Sequence, residues 1–110
     1  MEPRQKLLGA LGLCKKAGKL IVGFDAVSGA IESGQVKLLA TSKDLSPKSA
    51  KEIIRICQKH GVEHVPVGIA MEDIKRIVGK KAGILAVTDE GLAKSVAAKA
   101  AACQIEEDCV

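Results

Sequence analysis

Two short stretches of the chain hold the residue types that could meet a ligand. The first is Gly23-Phe-Asp-Ala-Val-Ser-Gly29. Gly23 separates an apolar triplet, Leu20 to Val22, from a helical pattern. Its missing Cβ lets another backbone come close, and the first amides of the following helix lack internal partners and carry the positive end of its dipole. A corner of that kind receives a phosphate or the polar edge of a base. The second stretch is Val78-Gly-Lys-Lys-Ala-Gly83, in which Gly79, Ala82 and Gly83 shape a loop that Lys80 and Lys81 charge. If adjacent parallel strands bring both stretches to one end of a sheet, they form two sides of a cleft. Lys19 stands a few residues before Gly23, with Lys15 and Lys16, and adds positive charge. Cations there also suit the C-terminal end of the first helix.

No other chemistry is signalled. The chain lacks a G-x-S-x-G elbow, an H-E-x-x-H pair, a Walker loop, and a G-x-G-x-x-G run after its first strand. His60 falls at a helix end and His64 opens a strand, ordinary positions rather than those of a general base. Glu72 and Asp73 complement a helix N-terminus. The four cysteines make no C-x-x-C pair and stand at no metal-ligand spacing from the histidines, so neither a metal nor a cofactor is expected. Cys14 and Cys57 fall on apolar helix faces, where reduced thiols act as small hydrophobes. Cys109, beside the C-terminus, reads as an exposed thiol. A redox or nucleophilic enzyme built on Cys14 or Cys57 is the weakest reading, and nothing asks for an enzyme.

Composition narrows the partner. Net charge is +4, yet Glu106, Glu107 and Asp108 cluster at the end, so residues 1–105 carry 17 basic against 10 acidic groups. That balance favours a polyanion. With one Phe and no Tyr or Trp, the chain has almost nothing on which single-stranded bases could stack. A folded RNA recognised by shape, with lysines on its phosphates, fits better. The 110 residues, 47% of them hydrophobic, predict one domain over 1–105 with an aliphatic core, and an acidic tail over 106–110. No apolar run approaches the roughly 18 residues of a membrane span, and the N-terminus lacks a signal peptide's layout. A cytoplasmic monomer, with neither a membrane nor a small-molecule partner, is expected.

The elements that must position these stretches alternate. Leu7, Leu8, Leu11 and Cys14 mark a first helix from Pro3 to about Ala17, and Leu20 to Val22 a first strand. Phe24, Val27, Ala30 and Ile31 mark a second helix before Gly34; a strand follows over Val36–Thr41 and a helix over Pro47–His60, capped by Ser46. His64–Val67 reads as an edge strand because it contains Pro66, Met71–Val78 as a short helix, and Gly83–Thr88 as an apolar strand. Asp89 caps a last helix lined by Leu92, Val96, Ala100 and Cys103. The order predicts an α/β fold, a three-layer α-β-α sandwich with a four-stranded mixed sheet covered by about five helices.

Three segments, in order and at fitting spacing, carry a resemblance over nearly the whole chain: Leu11-Gly-Leu-Cys-Lys-Lys-Ala-Gly-Lys-Leu-Ile-Val-Gly23, then Ala30-Ile-Glu-Ser-Gly34 leading to Lys37-Leu-Leu-Ala-Thr41, and Ile77-Val-Gly-Lys-Lys-Ala-Gly-Ile-Leu-Ala-Val-Thr-Asp89. The sequence resembles the kink-turn RNA-binding ribosomal protein family, which includes large-subunit proteins seven-Ae and thirty-e, and is most similar to its bacterial YlxQ-type members. The resemblance implies the same sandwich and a ribosome-associated RNA-binding role. It also implies a site made from the turn after the first strand, the start of the second helix and the loop before the last strand. In kink-turn binders the turn reads Gly-x-Asn-Glu with a Lys three residues beyond, and these side chains meet sheared G·A pairs. Here the matching residues are Gly23, Asp25, Ala26 and Gly29, so only the glycine is kept. Asp25 can accept from a guanine amino group but cannot donate, Ala26 offers no polar contact, and Gly29 lacks a phosphate partner. Lys80 and Lys81 would offset part of that loss. The alternative on the same fold is a protein-interaction module that has lost kink-turn recognition, as in stress-signalling relatives.

Overall fold

A computed structural model describes the backbone of residues 3–108 and the side chains of 4–102. The elements run α1 (Pro3–Lys16), β1 (Leu20–Val22), α2 (Phe24–Glu32), β2 (Leu38–Thr41), α3 (Pro47–His60), β3 (Glu63–Pro66), α4 (Met71–Val78), β4 (Ile84–Val87) and α5 (Glu90–Asp108). This is the predicted order. β2 and β4 are shorter than the apolar runs suggested, with Val36 and Lys37 preceding β2 and Gly83 and Thr88 flanking β4, while β3 is shifted back by one residue, so that Glu63 rather than His64 opens it and Val67 follows it. Those flanking residues still hydrogen-bond across the sheet, Lys37 N–H to the Val87 carbonyl at 2.8 Å and Thr88 N–H to the Lys19 carbonyl at 2.9 Å.

The sheet is mixed, in the order β1-β4-β2-β3, with β3 at an edge as Pro66 required. β4 runs antiparallel to both neighbours, pairing Val22 with Leu85 and Thr41 with Ile84, while β2 and β3 are parallel. It follows that β1, β2 and β3 point one way and β4 the other. Alternation along the strands sends side chains to two cores. Leu38, Ala40, Leu85 and Val87 meet Leu7, Leu11 and Cys14 of α1, Ile74 and Val78 of α4, and Val96 and Ala100 of α5. On the other face Leu39, Ile84 and Ala86 meet Val27, Ala30 and Ile31 of α2 with Ile53 and Cys57 of α3. Both faces are therefore covered, and the fold is the predicted sandwich.

Caps fix where the helices begin and end. Ser46 accepts from the Ser49 amide at 3.2 Å, with Pro47 in the first turn, and Gly61 closes α3 in the left-handed conformation. Asp89 Oδ2 accepts from the Leu92 amide at 2.9 Å. At its N-terminus α4 has no side-chain cap of its own; Asp44, from the loop after β2, accepts from the Met71 amide at 3.0 Å. Slight burial pushes the Asp44 pKa up, but that amide bond and the nearby Lys81 charge hold it below the usual carboxylate range. The α5 backbone stays helical through Glu106, Glu107 and Asp108. The Cys103 side chain and Cys109 lie outside the described residues.

Cys14 and Cys57 are buried and unbridged. Burial pushes the Cys14 thiol up and the Cys57 thiol up to about 11, so both stay protonated and inert. His64 shares a 2.9 Å hydrogen bond with the buried Thr41 hydroxyl, and burial lowers its pKa, keeping the ring neutral. Among the described residues no group of three or more His, Cys, Asp or Glu side chains could share a metal ion. No helix among them is long and apolar enough to cross a membrane.

Candidate nucleic-acid interface

The antiparallel pairing of β1 with β4 decides the geometry of the site. Adjacent parallel strands, the arrangement posited from the sequence, would separate a loop that follows β1 from a loop that precedes β4. In the antiparallel pair those two loops lie at the same end. The loops after β2 and β3 join them, since both strands share the direction of β1. Backbone bonds stitch this end together: Gly23 N–H to the Ile84 carbonyl at 3.0 Å, Ser42 N–H to the Gly83 carbonyl at 2.9 Å, and Lys43 N–H to the Ile69 carbonyl at 3.0 Å.

Gly23 is the N-cap of α2, with φ 101° and ψ 152°, a conformation essentially restricted to glycine. It uses its own amide on β4 and its carbonyl on the Val27 amide. No side chain caps the helix. The amides of Phe24, Asp25 and Ala26 are therefore left for solvent or a ligand. Asp25, Ala26 and Gly29 are exposed, while Phe24 is half-buried against the α2–α3 core. Helical Gly29 stands in open space, for a Cβ there would meet nothing within 4 Å.

The α4–β4 loop forms the facing wall. A Cβ on Gly23 would lie 3.9 Å from Lys80 Nζ, so that ammonium sits directly beside the corner. Lys81 pairs with Glu72 at 3.3 Å, both side chains being well exposed, which leaves the lysine easily redirected toward a phosphate. Gly79 ends α4 in the left-handed conformation. Between the walls lies an open hollow of about 260 Å³, bounded by Gly23, Phe24, Lys80, Lys81, Ala82 and Gly83, and by Leu45, Ser49, Met71 and Ile84.

One expected site residue stands elsewhere. Lys19 precedes β1 and its carbonyl accepts from the Thr88 amide, so it belongs to the opposite end of the sheet, near Lys37. Ala82 lines the hollow as expected, but it is buried and contributes little surface. Conversely, Leu45, Ser49 and Met71 reach the hollow without a motif to announce them. The only signal was position, because loops after parallel strands gather at their carboxyl ends.

Gly83 is a packing glycine. A Cβ there would lie 2.8 Å from Ser42 Oγ, 2.9 Å from Leu45 Cδ1 and 3.1 Å from Met71 Cε. Gly83→Ala is expected to cost about 1–3 kcal/mol in urea unfolding, with the denaturant slope unchanged, through overpacking beneath the hollow. An unaltered midpoint would mean that the surrounding loops yield freely.

Residues 5–97 match the model of the ribosomal protein L7Ae/L30e/S12e/Gadd45 family. The chain is 32% identical over 87 residues to RNA-binding protein YlxQ of Bacillus subtilis, covering 78% of this chain and 86% of that protein. It is 28% identical over 93 residues to RNA-binding protein YlxQ of Enterococcus faecium, covering 83% and 87%. Among solved structures, a Bacillus halodurans protein of unknown function superposes with a TM-score of 0.80 at 29% identity, covering 87% of this chain and 97% of that one. The Giardia lamblia 15.5kD RNA binding protein shares the fold, with a TM-score of 0.74 at 15% identity and coverage of 96% and 90%.

Proposed function

Because the chain belongs to the ribosomal protein L7Ae/L30e/S12e/Gadd45 family, we propose that it binds structured RNA of the kink-turn type, in association with the ribosome, and catalyses nothing. The observation that carries this reading is the juxtaposition of the Gly23 corner with Lys80 across the β1–β4 pair. The corner supplies amides and a close backbone approach, and the lysine wall holds phosphates. Two bacterial relatives named as RNA-binding proteins support it. In this reading Gly23, Phe24, Asp25, Ala26 and Gly29 form one wall and Gly79, Lys80, Lys81 and Gly83 the other. The RNA-binding unit is the single domain over 1–105, acting as a cytoplasmic monomer, and the acidic run over 106–110 lies outside it.

With the Asn, Glu and Lys of kink-turn binders replaced by Asp25, Ala26 and Gly29, shape and phosphates carry the affinity. Binding should therefore fall steeply with salt. Lys80→Ala with Lys81→Ala should reduce the slope of log affinity against log salt by about two, and weaken binding to matched and mismatched RNA alike. Fluorescence anisotropy over a salt series tests this. An unchanged slope and affinity would remove the α4–β4 loop from the interface.

A further inference from the structure

A second hollow, of about 630 Å³, opens between α1 and α4, lined by Gly9, Gly12, Leu13, Lys15, Lys16 and Ile77. Its floor is unusual for a helix face. A glycine inside a helix is destabilising relative to alanine, and at Gly9 nothing in the chain requires one, since a Cβ there would meet nothing within 4 Å. At Gly12 the two helices come close, a Cβ lying 3.3 Å from Ile77 Cγ2. Leu13, 57% exposed, is the only exposed large hydrophobic side chain among the described residues. The charged residues of the lining are both lysines.

Lys15 links the hollow to the start of the lysine wall. Lys15 Nζ donates to the Val78 carbonyl and lies 3.7 Å from where a Gly79 Cβ would stand. One residue further, Lys80 reaches Gly23. A line of positive charge thus runs from α1 through the end of α4 to the corner. What fits the hollow must bring a flat apolar body to the exposed helix backbone and negative charge to the lysines. A nucleotide has both, and an RNA stem leaving the corner presents phosphates repeatedly along that line.

We infer that the hollow between α1 and α4 is a second contact for the same RNA, taking a nucleotide beyond the corner with its base on Gly9, Gly12, Leu13 and Ile77 and a phosphate on Lys16. This rests on the RNA-binding reading above. The test compares two labelled kink-turn RNAs, one with long stems and one cut back to the bulge and its G·A pairs. Gly9→Leu fills the hollow with a better helix former, so thermal stability should hold or rise. Its affinity for the long RNA should fall by about tenfold or more, the equivalent of one good contact, while the short RNA binds as before. Lys16→Gln, which leaves the packing intact, should lower the salt slope for the long RNA by about one. If both variants bind the long RNA like the unsubstituted protein, the inference fails and the corner alone carries binding. If the unsubstituted protein binds neither RNA, the inference and the RNA reading fail together. Unchanged RNA binding, with Gly9→Leu abolishing self-association in sedimentation, would make the hollow a contact between copies and also overturn it.

Discussion

Gly23→Val should lower the thermal unfolding midpoint by about 10 °C and weaken RNA binding by at least tenfold at a temperature where the variant is still folded. The first effect follows from backbone strain. At φ 101° and ψ 152° a side chain is forced into a region costing about 1–3 kcal/mol, and each kcal/mol moves the midpoint of a domain near this size by about 4–8 °C. The second follows from position, because a branched side chain would stand between the α2 amides and any approaching RNA, facing Lys80. Gly34→Ala separates the two. Gly34 also has a positive φ, 76°, and would be strained by a side chain, but it lies beside Lys19 and Lys37 at the other end of the sheet. It should lower stability and leave RNA affinity untouched. Equal losses of affinity in both variants would mean that strain alone explains the Gly23 result.

The second large effect is a gain. Asp25→Asn, Ala26→Glu and Gly29→Lys together restore the pattern of the kink-turn binders that the sequence resembles, on a corner whose backbone is already in place. Restoring a neutral hydrogen bond and two charge-assisted ones is expected to tighten binding to an intact kink-turn by about 100-fold, since such bonds contribute roughly 0.5–3 kcal/mol each. Stability should not suffer. All three positions are exposed, Ala26 lies in the first turn where a carboxylate suits the dipole, and lysine replaces a helical glycine that has open space around it. Competition between the two proteins for one labelled RNA, followed by anisotropy, measures the gain. No gain would mean that the Gly23 corner does not meet the G·A pairs.

The fold was legible because its signals were redundant. Ser46-Pro47 and Gly61 delimit α3, Pro66 marks β3 as an edge, and Asp89 starts α5, each a local rule that the packed structure obeys. The site was legible only in part. Gly23 and the Lys80–Lys81 loop could be named from glycines and charge, but their meeting depends on strand direction, which a pattern of alternating elements leaves open. Here β4 reverses between β1 and β2, and that reversal joins the two stretches. It also sends Lys19 away, because a three-residue strand carries the chain to the other end of the sheet between Lys19 and Gly23. Leu45, Ser49 and Met71 were invisible as site residues for the opposite reason, being ordinary residues until tertiary packing brings their loops to the same end. The glycines of α1 were equally silent. Only the open space around Gly9 separates a glycine that packing explains from one that it does not.

Recognition of folded RNA by the Gly23 corner and the lysine loop can be measured on the unsubstituted protein. Its most direct test is a titration of the purified protein into a labelled kink-turn RNA and into a control with its G·A pairs replaced, each at low and at high salt. Tighter binding to the intact motif is expected at both salt concentrations, with a steep loss of affinity for both RNAs as salt rises. Equal binding that high salt abolishes would contradict recognition of the motif and leave only a basic surface. No binding at low salt would contradict the account outright and turn the same fold into a protein-interaction module.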